Sequence, residues 1–270
     1  MRLIIHKNYE DASRWAAFYI SDRITTHQKT QERPFVLGLP TGDSPRLIYR
    51  ELVRQCREGM LSFANVRTFN IDEYIGLPAD HPQSYHYFMM ENLFNHIDIK
   101  PENTHFLDGM ANDPQQECRR YEQAIATEGG IDLFLGGMGS DGHIAFNEPG
   151  SSLSSRTRVK TLTEETRNAN ARFFGGESSK VPPTAMTVGI GTVMDAREVL
   201  IIVSGKNKAR ALRAVVEEGL NHLWTLSCLQ MHPKAIIVCD EDATDEMTVR
   251  TVRYFKEIEK EIMKSFGEGQ

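Results

Sequence analysis

Seven short β-rich runs, each separated from the next by a helical pattern or a loop, constrain this chain more than any other feature. They are Arg2 to His6, Phe35 to Leu39, Val66 to Ile71, Ile131 to Gly136, Ala185 to Ile190, Val199 to Val203 and Ala235 to Cys239. Between them Trp15, Ala16, Tyr19, Ile20 and Ile24 recur at helical spacing, as do Leu47, Ile48, Leu52, Val53 and Cys56, then Ala209, Leu212 and Val216, and finally Met247, Phe255, Ile258 and Ile262. Strands joined through helices cross over instead of forming hairpins, which makes neighbouring strands parallel. The spacing therefore predicts an α/β fold, a doubly wound, mostly parallel, Rossmann-like sheet with helices on both faces. A chain of 270 residues, 40% hydrophobic, has enough apolar material for one large core. No repeat, low-complexity tract or Gly/Ser linker marks a boundary, so 1–270 reads as a single unit. One stretch is less orderly: a polar, helix-compatible run, then Gly175-Gly176, then Pro182-Pro183. At about 161–183 it is expected to form a mobile flap over the ligand site.

The net charge of -6, without a block of basic residues, argues against a nucleic-acid partner and against an electrostatic membrane anchor. The opening Met1 to His6 holds too short an apolar run for a signal peptide, and no later run reaches membrane-spanning length. A cytoplasmic location and a small-molecule partner are expected. Cys56, Cys118, Cys228 and Cys239 lack CxxC spacing, which favours buried thiols over a zinc ribbon or redox pair.

Ligands of open α/β sheets bind beyond the carboxyl ends of strands, and three such places are chemically loaded. After the second run, Thr41, Gly42, Asp43 and Ser44 form a turn in which Gly42 frees the backbone, Ser44 can cap the next helix and Pro45 suits its first position. Such a helix start offers N–H groups to a phosphate, although a plain capped turn competes as a reading. After the third run, one of Asp72 and Glu73 can turn inward as a base raised by burial and like charge, or both can solvate the next segment. After the fourth, Asp141, His143 and Glu148 put two carboxylates around one imidazole, the arrangement of an oriented proton shuttle. A satisfied turn histidine competes with that reading. A metal site is disfavoured by the single histidine and the absence of an HExxH pairing. Arg172 in the flap can clamp a phosphate bidentately, and Lys208, in the helix after Val203-Ser204-Gly205, can add a point charge.

These residues resemble the glucosamine-6-phosphate deaminase, or isomerase, family. The resemblance runs nearly end to end. It is carried by LGLPTG at Leu37 to Gly42, FNIDEYIGLP at Phe69 to Pro78, His81 to Tyr85, GGMGSDGHIAFNEPGSSLSSRTR at Gly136 to Arg158, and Arg172-Phe173-Phe174. It implies conversion of D-glucosamine 6-phosphate and water to D-fructose 6-phosphate and ammonia, with no redox cofactor or metal. By that resemblance His143 opens the pyranose ring while Asp141 and Glu148 hold the imidazole, and Asp72 moves the C2 proton to C1. Phosphate falls to Thr41, Gly42, Asp43, Ser44, Arg172 and Lys208. The resemblance further implies a homohexamer activated by N-acetylglucosamine 6-phosphate at a second site between subunits, matched by Ser151, Arg158, Lys160, Thr161 and Tyr254. Arg158 and Lys160 alternate as on a strand edge, so a solvated edge is the competing reading. Position 43 departs from the family, which carries glycine or another small residue there, and a carboxylate repels phosphate unless it points away or caps the helix. Rival readings are a 6-phosphogluconolactonase-like hydrolase, whose related GxDGHxA word continues differently, and a non-catalytic sugar-phosphate sensor.

Overall fold

The computed structural model describes residues 1–267, and the last three positions of the expected 1–270 unit lie outside the described residues. Strands β1 (Arg2–His6), β2 (Phe35–Leu39), β3 (Val66–Asn70), β4 (Asp72–Tyr74), β5 (Thr104–His105), β6 (Leu133–Gly137), β7 (Arg158–Thr161), β8 (Thr184–Thr187), β9 (Glu198–Val203) and β10 (Ala235–Asp240) are interspersed with eight α-helices. These are α1 (Tyr9–Thr30), α2 (Arg46–Arg57), α3 (Tyr85–Asn92), α4 (Pro114–Thr127), α5 (Glu164–Asn170), α6 (Ile190–Met194), α7 (Ala209–Glu217) and α8 (Val249–Gly267). Local chemistry sets several starts: Asn8 accepts from the Asp11 N–H, and Asp113 accepts from Gln115 and Gln116 ahead of a first-turn Pro114. Among the described residues no helix is long and apolar enough to cross a membrane.

Seven strands form one sheet in the order β1-β10-β9-β6-β2-β3-β5, with every neighbour parallel. Successive side chains serve opposite cores, as the two-residue pleat requires. Val199, Ile201 and Val203 join Tyr121, Ile190 and Leu212 on one face, whereas Leu200 and Ile202 join Ile20, Ile48 and Leu52 on the other. From β2 the chain steps outward through β3 to β5, then returns to the opposite side of β2 with β6 and continues through β9 and β10 toward β1. The order reverses between β2 and β6, so the crevice beyond their carboxyl ends is the natural ligand position.

Two expected strands behave differently from their neighbours. The run expected at Ala185 to Ile190 does not enter the parallel sheet: β8 is the centre of a separate antiparallel sheet, β4-β8-β7, and Ile190 already begins α6. Gly189 makes that turn possible, because a Cβ there would meet the Ser155 carbonyl oxygen at 2.0 Å. The run at Val66 to Ile71 stops at Asn70, and the chain leaves the main sheet to pair Asp72 with Thr187. A third apolar cluster of Tyr74, Phe146, Leu162, Val181 and Ala185 fills the space beside this small sheet. The stretch 161–183 is more ordered than its composition suggests, with α5 capped by Thr163, whose side chain accepts from the Thr166 N–H. On α8, Ile258 is exposed instead of packed against the sheet.

Candidate active site

Five segments distant in sequence converge at the reversal point. Thr41, Gly42, Asp43 and Ser44 follow β2, Asp72 opens β4, Asp141 and His143 follow β6, Lys208 follows β9, and Arg172 comes from beyond α5; all line one cavity of about 630 Å³. Asp72 enters from a strand that has just changed sheets, which turns its side chain inward while adjacent Glu73 turns away. Glu73 Oε1 accepts from the Tyr74 and Tyr85 N–H groups and Oε2 accepts from the His86 N–H, so it anchors the start of α3. Burial, reinforced by the charge of Glu73, pushes the Asp72 carboxyl well above its ordinary value, and no hydrogen bond reaches its Oδ1. Burial likewise pushes Glu73 up to about 7, against the pull of its three backbone donors.

The imidazole lines the same cavity. His143 Nδ1 stands 2.6 Å from Asp141 Oδ1. The approach at Nδ1 is within hydrogen-bond distance but poorly aligned. Burial alone would raise the Asp141 carboxyl, but His143 outweighs it and holds the carboxyl below its ordinary value. The glycine-rich word has a definite purpose here. A Cβ on Gly139 would lie 2.6 Å from both Asp141 Oδ1 and His143 Cε1, so only glycine lets the pair settle against the strand end. Ala145 follows with φ of 51°, a left-handed conformation rare outside glycine, and it reverses the chain. Glu148 makes no ion pair with the ring, contrary to the expectation that it holds the imidazole beside Asp141. Glu148 is buried and its Oε1 accepts from Thr163, by the backbone N–H at 3.0 Å and the hydroxyl at 3.2 Å, which ties the segment after His143 to the base of α5.

Cations line the same cavity. Burial lowers the Lys208 ammonium, Asp141 supports it and Arg172 opposes it, so Lys208 feels both groups. Ser44 does not cap α2 as expected. Pro45 occupies the cap, the Arg46 N–H bonds the Asp43 carbonyl at 3.2 Å, and the Ser44 hydroxyl sits 3.5 Å from where a Cβ on Gly137 would lie. The Tyr9 hydroxyl donates to the carbonyls of Asp43 and Ser44 and braces the turn from behind. Asp43 neither points away nor caps the helix: its carboxylate pairs with Arg172 at 2.9 Å and with Arg46 at 3.2 Å.

Arg46 also lines this end, and no motif singled it out. It donates to Asn92 Oδ1 at 3.0 Å and lies 4.8 Å above the Phe88 ring. Its place in the first turn after the Thr41 to Pro45 turn was the available signal. An aromatic wall of Tyr74, Tyr85, Phe146 and Phe174 closes the flap side, with the Asn170 amide donating to the Tyr74 hydroxyl at 3.0 Å.

The other sequence-derived set is only partly assembled. Arg158, Lys160 and Thr161 lie on β7, and an Arg158 Nη1 donates to Asn147 Oδ1 at 2.8 Å, near the turn that carries Ser151. Ser151 is buried with its hydroxyl unpartnered, and burial lowers the Arg158 guanidinium. Tyr254 is not brought to them: it is exposed on α8, which packs on β1 at the far edge of the main sheet. Among the described residues no group of three or more metal-ligating side chains comes together.

Comparison with known proteins agrees with this geometry. Residues 7–243 match the family model of glucosamine-6-phosphate isomerases and 6-phosphogluconolactonases. Glucosamine-6-phosphate deaminase of Treponema denticola is 61% identical over 260 residues, covering 96% of each chain. That of Pectobacterium carotovorum is 59% identical over 265 residues, covering 98% of this chain and all of its own. A solved monomeric glucosamine-6-phosphate deaminase superposes with a TM-score of 0.86 at 42% identity, covering 90% of this chain and 98% of its own. The 6-phosphogluconolactonase of Trypanosoma cruzi shares the fold at a TM-score of 0.73 and 21% identity, over 92% of this chain and 97% of its own. The chain belongs to the glucosamine-6-phosphate isomerase and 6-phosphogluconolactonase family, on its glucosamine-6-phosphate deaminase branch.

Proposed function

We propose that this protein converts D-glucosamine 6-phosphate and water to D-fructose 6-phosphate and ammonia. One observation carries the reading: a buried carboxylate with no hydrogen bond at Oδ1 lines the same cavity as an imidazole paired with an acid, together with the cations Arg172 and Lys208. Identities of 59–61% to deaminases, against 21% to the lactonase structure, favour deamination over lactone hydrolysis and over a catalytically silent sensor.

In this reading Arg172, Lys208 and the Thr41 to Ser44 turn grip the phosphate, and that remote binding positions C1 and C2. His143, steadied by Asp141, takes the proton of the C1 hydroxyl and returns it to the ring oxygen, opening the sugar. Asp72 removes the C2 proton while the C1 oxygen is protonated, giving an enolamine. The proton goes back to C1, water adds to the resulting C2 imine carbon, and ammonia departs to leave the ketone. Only ionised Asp72 can act as base, and its raised pKa makes it a stronger one than an exposed carboxylate. Glu148 acts through Thr163, coupling the catalytic turn to the flap at about 161–183. The flap closes over bound sugar within a single 1–270 unit.

Ser151, Arg158, Lys160 and Thr161 form the inner part of a second sugar-phosphate site. Tyr254 completes it from a neighbouring subunit of a hexamer, and N-acetylglucosamine 6-phosphate is the activator. The enzyme works in the cytoplasm. A coupled assay that follows fructose 6-phosphate from glucosamine 6-phosphate, with and without the acetylated sugar, tests the reading; absence of product at any effector concentration would refute it. Light scattering with and without effector tests the hexamer, which a monomeric state under both conditions would exclude.

A further inference from the structure

The departure at position 43 has a structural partner. Asp43 lines the cavity, and its carboxylate spans Arg172 of the flap, through Oδ2 at 2.9 Å, and Arg46 of α2, through Oδ1 at 3.2 Å. Asp43, Arg172 and Arg46 all retain solvent access at the mouth of the site. Arg46 is held independently of this contact by Asn92 and by the Phe88 ring, whereas Arg172 makes no other ion pair among the described residues and rests on its neighbour Phe173 at 4.6 Å. Two guanidinium groups therefore converge on one carboxylate beside the turn whose backbone follows Gly42. A carboxylate at that position carries the charge, the planar oxygen pair and the hydrogen-bonding capacity that Arg172 otherwise finds in a phosphate.

We propose that Asp43 is a built-in competitor of the substrate phosphate: it occupies Arg172 and latches the flap to the β2–α2 turn when the site is empty, and an incoming phosphate takes Arg172 from it. This inference rests on Arg172 being a phosphate ligand, as proposed above. Arg46 is what makes the exchange inexpensive, because the released carboxylate keeps one guanidinium partner and does not face the phosphate uncompensated. A residue without a charged side chain at position 43 has no such contact, so the latch depends on the Asp43 carboxylate itself. Exposed ion pairs are individually weak and salt-screened, so the effect on affinity is modest and greatest at low ionic strength.

The test is competitive inhibition by inorganic phosphate, together with the KM for glucosamine 6-phosphate, in the full chain carrying Asp43→Asn, Arg172→Gln or both. Asp43→Asn keeps the side-chain volume, and Asp43→Ser provides a second variant should the amide distort the turn. The inhibition constant for phosphate should fall roughly threefold to tenfold in Asp43→Asn at low salt, as expected for loss of weak pairs and of one like charge. The gain should shrink in added salt and, in the Arg172→Gln background, fall to the smaller part that comes from removing a like charge. Unchanged or weaker phosphate binding in both Asp43 variants, while Arg172→Gln weakens it, would overturn the latch and leave the phosphate reading intact. Unaltered phosphate binding in Arg172→Gln would overturn both.

Discussion

Replacing Gly139 by alanine separates the stability of this fold from the geometry of its chemistry. Gly139 does not occupy the left-handed region, so alanine is compatible with its backbone. The added Cβ would stand 2.6 Å from Asp141 Oδ1, 2.6 Å from His143 Cε1 and 2.7 Å from His143 Nδ1, whereas ordinary contact begins at 3.4 Å. The acid and the ring must therefore retreat by about 0.8 Å. Both are side-chain ends able to move, so the cost to folding is limited: about 1–3 kcal/mol of crowding, partly offset by about 0.4–1 kcal/mol from the stiffer unfolded chain. Catalysis does not tolerate the same shift, because a displacement near 1 Å in a positioned group costs about a hundredfold. Turnover of glucosamine 6-phosphate in the coupled assay should fall by about that factor, while inhibition by inorganic phosphate, which draws on Arg172 and the Thr41 to Ser44 turn, changes far less. Gly219, which has nothing within 4 Å of its Cβ position, is the control, and its alanine variant should keep full activity. A Gly139→Ala enzyme of near-normal turnover would refute the claim that the pair works only in its present position.

Other consequences are open to direct measurement. Asp72→Asn should lower turnover by about 10²–10⁴ while retaining phosphate inhibition, and the acid limb of the normal enzyme should lie above the usual carboxylate range because only ionised Asp72 reacts; a normal rate in the variant would remove it as base. Glu73 titrates at about 7 in the fold against 4.5 ordinarily, so the folded state holds the extra proton and loses about 3 kcal/mol of stability as pH climbs across that window. Glu73→Gln should flatten the fall in melting temperature between those two values, and an unchanged slope would contradict the assignment. Asp132 is the opposite case: buried, paired with Arg33 at 2.6 and 2.7 Å and with Arg197 at 3.2 Å, it is held below its ordinary value despite burial. Its contribution is present above the unfolded pKa and lost as pH falls through the depressed one. Asp132→Asn should cost about 3 kcal/mol near neutrality, seen as a lower denaturant midpoint, with turnover retained; a midpoint unchanged at pH 7 would sink the estimate.

Much of the site could be read before any coordinates. Thr41, Asp72 and Asp141 stood out because chemistry-bearing residues directly follow apolar runs, and a strand end is where an α/β sheet exposes its ligand surface. Arg46 escaped because a charged residue in a helix's first turn looks the same whether it meets solvent or a cavity. Sequence proximity sets Glu148 beside the imidazole, but its carboxylate accepts from Thr163 instead, fifteen residues on. Asp43 read as a local repulsion because its two guanidinium partners come from residue 46 and from residue 172.

The sequence by itself determined the rhythm of strands and helices, the caps at Asn8 and Asp113, and the glycines that clear space for the Asp141 and His143 pair, because each of these follows from a residue and its near neighbours. Only the tertiary structure decided that β8 joins an antiparallel sheet with β4, that Asp72 is buried without a hydrogen bond at Oδ1, and that Asp43 pairs with Arg172. A two-residue period says which way a side chain faces but not which strand lies beside it. Burial and ion pairing depend on partners that chain folding brings from a hundred residues away.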